Sequence, residues 1–339
     1  MKVAVDAMGG DYAPGAIVRG ALAAAQEGIA EIILVGDARA IEKELKDTAG
    51  QNKIEVVHTE QAVAMDEQPA LALRRKRDAS IVLATRLVKE GRAQAVVSAG
   101  STGAQMAAAL LILGRSGNIQ RPAIATFLPT LEGAKLLLDA GANADCRPEN
   151  LYEFAQMGSL YSSKILGVPH PRIGLINIGT EPNKGNELTL NAYTLLKDSS
   201  LNFVGNVEGR DLPRGVADVY VCDGFTGNIL LKFGEGLAQA MFSKIQEEVK
   251  RSWMARLGAA LMLPALRYLK REIDYAEYGG APLLGVQGIS IICHGSSDER
   301  AIKNAIKVAV RCVRENLVEN LGYLPGISER KKVEDCQAR

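Results

Sequence analysis

Residues Ala93 to Gly114 read Ala-Gln-Ala-Val-Val-Ser-Ala-Gly-Ser-Thr-Gly-Ala-Gln-Met-Ala-Ala-Ala-Leu-Leu-Ile-Leu-Gly, without a single charge. A membrane-crossing helix needs about 20 predominantly apolar residues, so the length alone would suffice. The first half argues otherwise, because Ser98, Gly100, Ser101, Thr102, Gly103 and Gln105 would place polar groups in hydrocarbon. The stretch divides better into a strand over Ala93–Val97, a polar loop and a buried helix. That division makes it one βα unit, and the flanking chain repeats the pattern.

Toward the N-terminus, Lys2–Val5 precedes a helical pattern over Gly15–Glu27, Glu31–Val35 precedes Arg39–Lys46, and Lys53–Val57 comes before helical Ser80–Lys89. Beyond the opening stretch, Ala123–Phe127, Lys135–Leu138, Arg172–Ile176, Val216–Val221 and Ile289–Ile292 read as further strands. Several are continuously apolar, as strands covered on both faces are. The alternation predicts a doubly wound α/β fold, a mostly parallel sheet with helices on both faces. Pro148 opens a helical segment over Glu149–Leu166, Gly167 and Pro169 close it, and Asn228 leads into a longer one. With no repeat and no low-complexity linker, residues 1–325 are expected to form a single large unit. Residues 326–339 are expected to be a mobile tail, since Ser328–Arg339 is charged and lacks apolar periodicity.

With 47% apolar and 23% charged residues among 339, the chain is globular rather than disordered. Its 40 Lys and Arg against 39 Asp and Glu exclude a globally basic nucleic-acid binder. Five cysteines (Cys146, Cys222, Cys293, Cys312 and Cys336) are scattered and odd in number, with no C-x-x-C spacing. Neither a disulfide framework nor a metal site is indicated, and a cytoplasmic location is expected. Met1-Lys2-Val3-Ala4-Val5 meets Asp6 too soon for a secretory signal core.

After nearly every apolar strand comes a loop of small polar residues. These are Asp6–Asp11, Ser98–Ala104, Asn177–Glu181, Asp223–Asn228 and His294–Asp298. In parallel sheets ligands bind beyond the carboxyl ends of the strands, so the five loops are expected to converge on one site. A Gly-rich turn entering a helix presents free N–H groups and a positive dipole end, which suits phosphate. Ser98–Gly103 fits that role best, although neither G-x-G-x-x-G nor G-x-x-x-x-G-K-[ST] is present and one such loop is equally a tight strand-to-helix turn.

Lys184 lies in Thr180–Glu187, where Gly185 and Asn186 allow a sharp turn; it is either a phosphate clamp or a solvated loop lysine. His58 and His170 have no partner motif. His294, ahead of Gly295-Ser296-Ser297-Asp298, either donates to a bound anion or belongs to a helix cap. No G-x-S-x-G elbow is present, so no Ser/His/Asp triad is assigned.

Between Lys244 and Arg271 seven basic residues face two acidic ones. Trp253, Leu257 and Leu261 recur at four-residue spacing beside Met254, Met262 and Leu263, and Pro264 is expected to break the helix before a second stripe from Leu266. The expectation is a basic apolar helical hairpin over about residues 244–273. Trp253, Leu257, Leu261, Leu263 and Leu266 suit an anionic membrane surface, where each nearby cation is worth about 1 kcal/mol. Packing on the core or on a second subunit accounts for the same stripe.

Taken as a set, Asp6-Ala7-Met8-Gly9-Gly10-Asp11, Ser98–Ala104, Leu138–Asn143, Gly179-Thr180-Glu181, Lys184–Glu187, Asp223–Asn228, Tyr278–Ala281 and His294–Asp298 closely resemble the bacterial PlsX family, the acyl-acyl-carrier-protein:phosphate acyltransferases, in order from about Met1 to Leu321. The resemblance implies a fold related to phosphotransacetylases and isocitrate-dehydrogenase-like enzymes, a homodimer, and peripheral attachment to the cytoplasmic membrane. It implies transfer of a fatty acyl group from the carrier-protein thioester to inorganic phosphate, giving acyl phosphate for phospholipid synthesis. No cofactor is implied. Tyr12 departs from the pattern, standing where many members carry His.

Phosphate can attack a thioester directly, so this chemistry needs no covalent protein nucleophile; it needs orientation of the phosphate and stabilisation of the developing oxyanion. Ser98, Gly100, Ser101, Thr102 and Gly103 are accordingly assigned to phosphate and Lys184 to charge neutralisation. Asn228 is assigned as a donor to phosphate or the oxyanion, Asp223 orients neighbouring donors, and His294 bonds the anion or the departing thiol. Two other readings stand beside this one. A nicotinamide-dependent dehydrogenase of related fold would need a glycine fingerprint and a following acidic residue that the chain lacks. A non-catalytic membrane-bound scaffold or sensor of lipid synthesis would use the hairpin without turnover.

Overall fold

The computed structural model describes residues 1–45, 54–273 and 279–325; the expected tail, 326–339, lies outside the described residues. The strands are β1 (Lys2–Asp6), β2 (Glu31–Gly36), β3 (Ile54–His58), β4 (Ala95–Ser98), β5 (Ala123–Ile124), β6 (Thr126–Thr130), β7 (Gly133–Leu138), β8 (Ile173–Asn177), β9 (Phe203–Glu208), β10 (Val219–Val221), β11 (Ala281–Leu284) and β12 (Ile289–Ile292). They form two sheets. The larger has the order β3-β2-β1-β4-β12-β11-β5, the smaller β6-β7-β10-β8-β9. Pairing is parallel from β3 through β12, with Val3 opposite both Ile32 and Ala95, and from β7 through β9. Antiparallel β11, β5 and β6 lie toward the ends.

Chain order explains where a ligand can enter. From β1 the chain runs outward through β2 and β3, whereas β4 returns to the other flank of β1. The carboxyl ends of β1 and β4 therefore border the crevice at which an open α/β sheet binds ligands.

The helices cover these sheets because their apolar residues fall on one face. In α1 (Gly15–Gln26), Ile17, Val18, Ala21, Leu22 and Ala25 are buried, and the helix packs on α10 (Glu299–Arg314). Gly20 permits that approach: a Cβ there would lie 2.6 Å from the Glu299 carbonyl oxygen and 2.7 Å from Ile302 Cβ. One apolar cluster runs from Val3, Leu34 and Ile291 of the larger sheet to Leu136, Ile173 and Val219 of the smaller. The same cluster contains Phe154 and Met157 of α6 (Pro148–Tyr161).

The predicted α/β architecture is present, with several differences in detail. Ala123–Phe127 divides into β5 and the start of β6. The strands β9 and β11 and the helices α3 (Pro69–Arg75), α7 (Glu187–Lys197), α10 and α11 (Leu317–Gly322) add to the predicted elements, whereas α2 (Ala38–Leu45), α4 (Ser80–Lys89) and α5 (Thr102–Ala108) fall where helices were expected. The expected break at Pro264 is corrected. Helix α8 spans Gly224–Arg251 and α9 spans Trp253–Ile273, with Pro264 inside α9. The interruption falls at Ser252, whose extended backbone (φ −136°, ψ 140°) cannot continue a helix.

Candidate active site

Three of the five loops meet at the carboxyl end of the larger sheet. Asp6, the last residue of β1, is 3% exposed; its carboxylate accepts the Ser98 hydroxyl at 2.7 Å and the Met8 amide at 3.2 Å. Ser98 Oγ in turn accepts the Gly100 amide at 3.0 Å. The Asp11 amide donates to the Gly295 carbonyl at 2.8 Å, and Cys293 N–H donates to the Ser98 carbonyl at 2.8 Å. The backbones come this close because Gly9 lacks a side chain: a Cβ there would lie 2.7 Å from both Asp6 Oδ2 and Gly100 N. Burial pushes the Asp6 carboxyl above its ordinary 3.8, against hydrogen bonds from Ser80, Ser98, Met8 and Gly9 that pull it back.

Ser98 thus stands behind the loop, buried and committed to Asp6. The space there, lined by Asp6, Ser80 and Ser98 together with Gly100 and Ser101 of the loop itself, is about 10 Å³. That is one water's worth of room, too little for a tetrahedral oxyanion. Ser101 caps α5, its hydroxyl accepting the Ala104 amide at 3.4 Å, while Thr102 is exposed and Gly103 half-buried. His294 is exposed, with Nδ1 2.7 Å from Ser296 Oγ and accepting the Ser296 amide at 3.2 Å. An accepting Nδ1 leaves the ring proton on Nε2.

The smaller sheet supplies a second group. Asp139, just beyond β7 and fully buried, accepts amides from Ile124 (3.0 Å), Gly141 (3.1 Å), Ala142 (3.0 Å) and Asn143 (2.7 Å), and the Asn143 side-chain amide at 2.9 Å. Burial raises its carboxyl, and these hydrogen bonds oppose the rise. The Asn143 carbonyl accepts the Gly224 amide at 2.7 Å, seating the first turn of α8 on this loop. Asp223 caps α8, its carboxylate accepting both the Thr226 amide and the Thr226 hydroxyl at 2.8 Å. Asn228 follows one turn later, half-buried over Gly141, whose absent Cβ would lie 3.4 Å from Asn228 Cβ. Gly141 has φ +136°, a conformation that favours glycine.

Lys184 sits in the loop beyond β8, exposed, and its ammonium makes no ion pair among the described residues. Two asparagines on adjacent parallel strands fix its backbone. The Asn177 side-chain Nδ2 donates to the Lys184 carbonyl at 3.0 Å and the Asn206 side-chain Nδ2 to the Glu181 carbonyl at 2.9 Å. The Lys184 amide closes the turn onto the same Glu181 oxygen at 3.1 Å.

An apolar cluster connects the two groups, containing Met106 and Ala109 after the Ser98 loop, Ile292 before His294, and Ala140 and Ala142 in the Asp139 loop. Among the described residues no hydrogen bond links Ser98–Gly103 directly to Lys184 or Asn228. Neither do those residues contain a group of three or more His, Cys, Asp or Glu able to hold a metal. The thiols bordering the loops are protonated: burial pushes Cys293 up to about 12 and, with nearby Asp139, Cys146 up to about 12. Asp6, Asp139, Asn143, Asn177 and Asn206 are the positioning residues that the motif reading left unassigned. For Asp6, Asp139 and Asn177 the sequence signal was an Asp or Asn closing an apolar strand; Asn143, within a loop, and Asn206, inside β9, carried no such signal.

Away from these loops, Trp253, Leu257, Leu261 and Leu263 are exposed on α9 and Leu266 is half-buried. No helix among the described residues is long and apolar enough to cross a membrane.

A family model described as fatty acid synthesis protein matches residues 1–320. The phosphate acyltransferase of Moorella thermoacetica is 70% identical over 338 residues, covering 100% of each chain. That of Heliobacterium modesticaldum is 59% identical over 329 residues, covering 96% of this chain and 98% of its own. Among solved structures, a phosphotransacetylase from Streptococcus pyogenes superposes with a TM-score of 0.63 at 20% identity, covering 93% of this chain and 94% of its own. A 4-hydroxythreonine-4-phosphate dehydrogenase from Klebsiella pneumoniae gives 0.53 at 13% identity, covering 92% and 99%. These structural likenesses concern the fold alone, whereas the sequence matches extend through every loop described above: the chain belongs to the PlsX family of phosphate acyltransferases.

Proposed function

We propose that the protein transfers a fatty acyl group from acyl-acyl carrier protein to inorganic phosphate, releasing acyl phosphate and the carrier thiol. The observation that supports the reading is the loop 98–103 at the carboxyl end of β4, held by the bonds from Ser98 to Asp6 and from Gly100 to Ser98 and leading into the N-terminus of α5. Ser101, Thr102 and Gly103 meet the phosphate, while Ser98 and Gly100 hold the loop's shape. Lys184 neutralises charge. The asparagine side chain of residue 228 donates to the oxyanion, aimed by the cap that Asp223 makes on α8, and His294 supplies an Nε2–H to the anion or the leaving sulfur.

A phosphate oxygen attacks the thioester carbonyl carbon, and the tetrahedral oxyanion collapses with cleavage of the C–S bond. The proton of hydrogenphosphate passes to the departing sulfur, so that hydrogenphosphate and acyl thioester become acyl phosphate and thiol. Protonated Cys293 and Cys146 agree with direct attack, since a thiol held up to about 12 is a poor nucleophile at neutral pH.

Hydroxylamine trapping after incubation with acyl-acyl carrier protein tests the reading: acyl hydroxamate should form only when orthophosphate is present. Carrier that stays acylated in phosphate buffer would overturn it and leave the scaffold or sensor reading. Spectrophotometry with nicotinamide cofactors should show no reduction, disposing of the dehydrogenase alternative.

The exposed apolar residues of α8, Phe225, Ile229, Phe233, Leu237, Met241 and Ile245, recur every fourth position. They support a homodimer formed by covering this stripe, to be measured by sedimentation velocity. The basic, Trp- and Leu-bearing α9 supports peripheral attachment to an anionic membrane from the cytoplasm.

A further inference from the structure

We infer that Asp6 is a positioning residue for phosphate: its carboxylate orients the Ser98 hydroxyl, and that hydroxyl orients the Gly100 amide and with it the loop from Ala99 to Ser101. The inference rests on the reading that loop 98–103 takes phosphate.

The hydrogen-bond chain has a fixed direction. An ionised carboxylate only accepts, so the Ser98 O–H must donate to Asp6, and the lone pairs of Ser98 Oγ are left for the Gly100 N–H. Asp6 also accepts the Met8 amide, so one buried side chain ties the loop after β1 to the loop after β4 across the switch point. No cation among the described residues forms an ion pair with it. A bare carboxylate behind an anion site repels the ligand, so charge alone gives Asp6 no favourable part in phosphate binding. Its favourable part is geometric. The loop backbone packs directly on both partners: a Cβ at Gly100 would come 3.2 Å from Ser98 Oγ and 3.4 Å from Asp6 Oδ2.

A double-mutant cycle tests the inference, using the full chain with orthophosphate and acyl-acyl carrier protein as substrates. Asp6→Ala and Ser98→Ala should each raise KM for phosphate about tenfold and leave KM for the acyl carrier within twofold. The double variant should be no worse than the more severe single variant, because Asp6 acts through Ser98. Ser98→Thr, which keeps the hydroxyl, should restore KM for phosphate to within threefold. Additive losses, or losses spread equally over kcat and both KM values, would overturn the inference. Should Asp6→Ala fail to fold, Asp6→Asn takes its place in the cycle under the same criteria. A Ser101→Ala, Thr102→Val variant separates the two ideas. If it raises KM for phosphate while the Asp6 variants do not, the positioning role alone falls; if it leaves KM unchanged, loop 98–103 is not the phosphate site and both fall.

Discussion

Lys184 concentrates the question of how much a single exposed cation contributes. Its main chain is clamped by Asn177 and Asn206, whereas its ammonium is unpaired among the described residues and ready for an anion. Lys184→Ala should lower kcat/KM for phosphate about a hundredfold, the scale of losing one well-placed charge-stabilising donor. The thermal midpoint should stay within about 1 °C, because an exposed side chain with no ion pair contributes little to stability. A midpoint that falls together with activity would mean that the residue holds its loop rather than the ligand.

Among the elements, β7, β8 and β10 are tied together by Asp218, which accepts Lys135 at 2.9 Å and Arg172 at 3.1 Å. Burial alone would raise this carboxyl, but the Arg172 and Lys135 hydrogen bonds more than offset it and hold it well below the usual carboxylate range. Its stabilising contribution is therefore present above the ordinary value of 3.8 and is lost as pH falls toward the depressed one. Urea unfolding at pH 5 and pH 3 should show a smaller loss of stability in Asp218→Asn than in the parent. On α9, Leu257→Glu with Leu261→Glu should abolish sedimentation with anionic vesicles while acyl phosphate still forms in solution; loss of the folded protein instead would make the stripe part of a packed interface.

The legibility of the elements follows their burial. Strands β1, β2, β8 and β12 were readable because both faces are covered and almost every residue is apolar. Strand β9, Phe-Val-Gly-Asn-Val-Glu, mixes polar residues with Gly205 at φ +99° and was not. Strand β11 carries Pro282 as its second residue, a type that sheet interiors ordinarily exclude, and was not read as a strand. Pro264 misled in the opposite sense, since a helix end was expected at the proline and the backbone turned instead at Ser252. The glycine loops were legible as motifs, but the bond from Ser98 to Asp6 spans 92 positions and only the sheet order brings the two together.

At the scale of the whole molecule, the apolar cluster shared by both sheets makes the division into strands less important than their common core. We propose that residues 1–325 unfold as one unit: far-UV and near-UV circular dichroism should report a single coincident transition, and two separated midpoints would show that each sheet stands alone. The site proposed above would depend on that unity, since the Ser98 loop follows a strand of one sheet and Lys184 and Asn228 follow strands of the other.

Ser252 gives the pair of helices α8 and α9 a joint. Twenty-one residues of α9 extend beyond it, a rod of roughly 30 Å at 1.5 Å per residue. Turning that rod by about 10° sweeps its far tip through roughly 5 Å, with no helical hydrogen bond inside either rod broken. For the membrane attachment proposed above, small torsional adjustments at one serine would thus become tilts of that size at Trp253 and its neighbouring leucines, with the strand-end loops left in place.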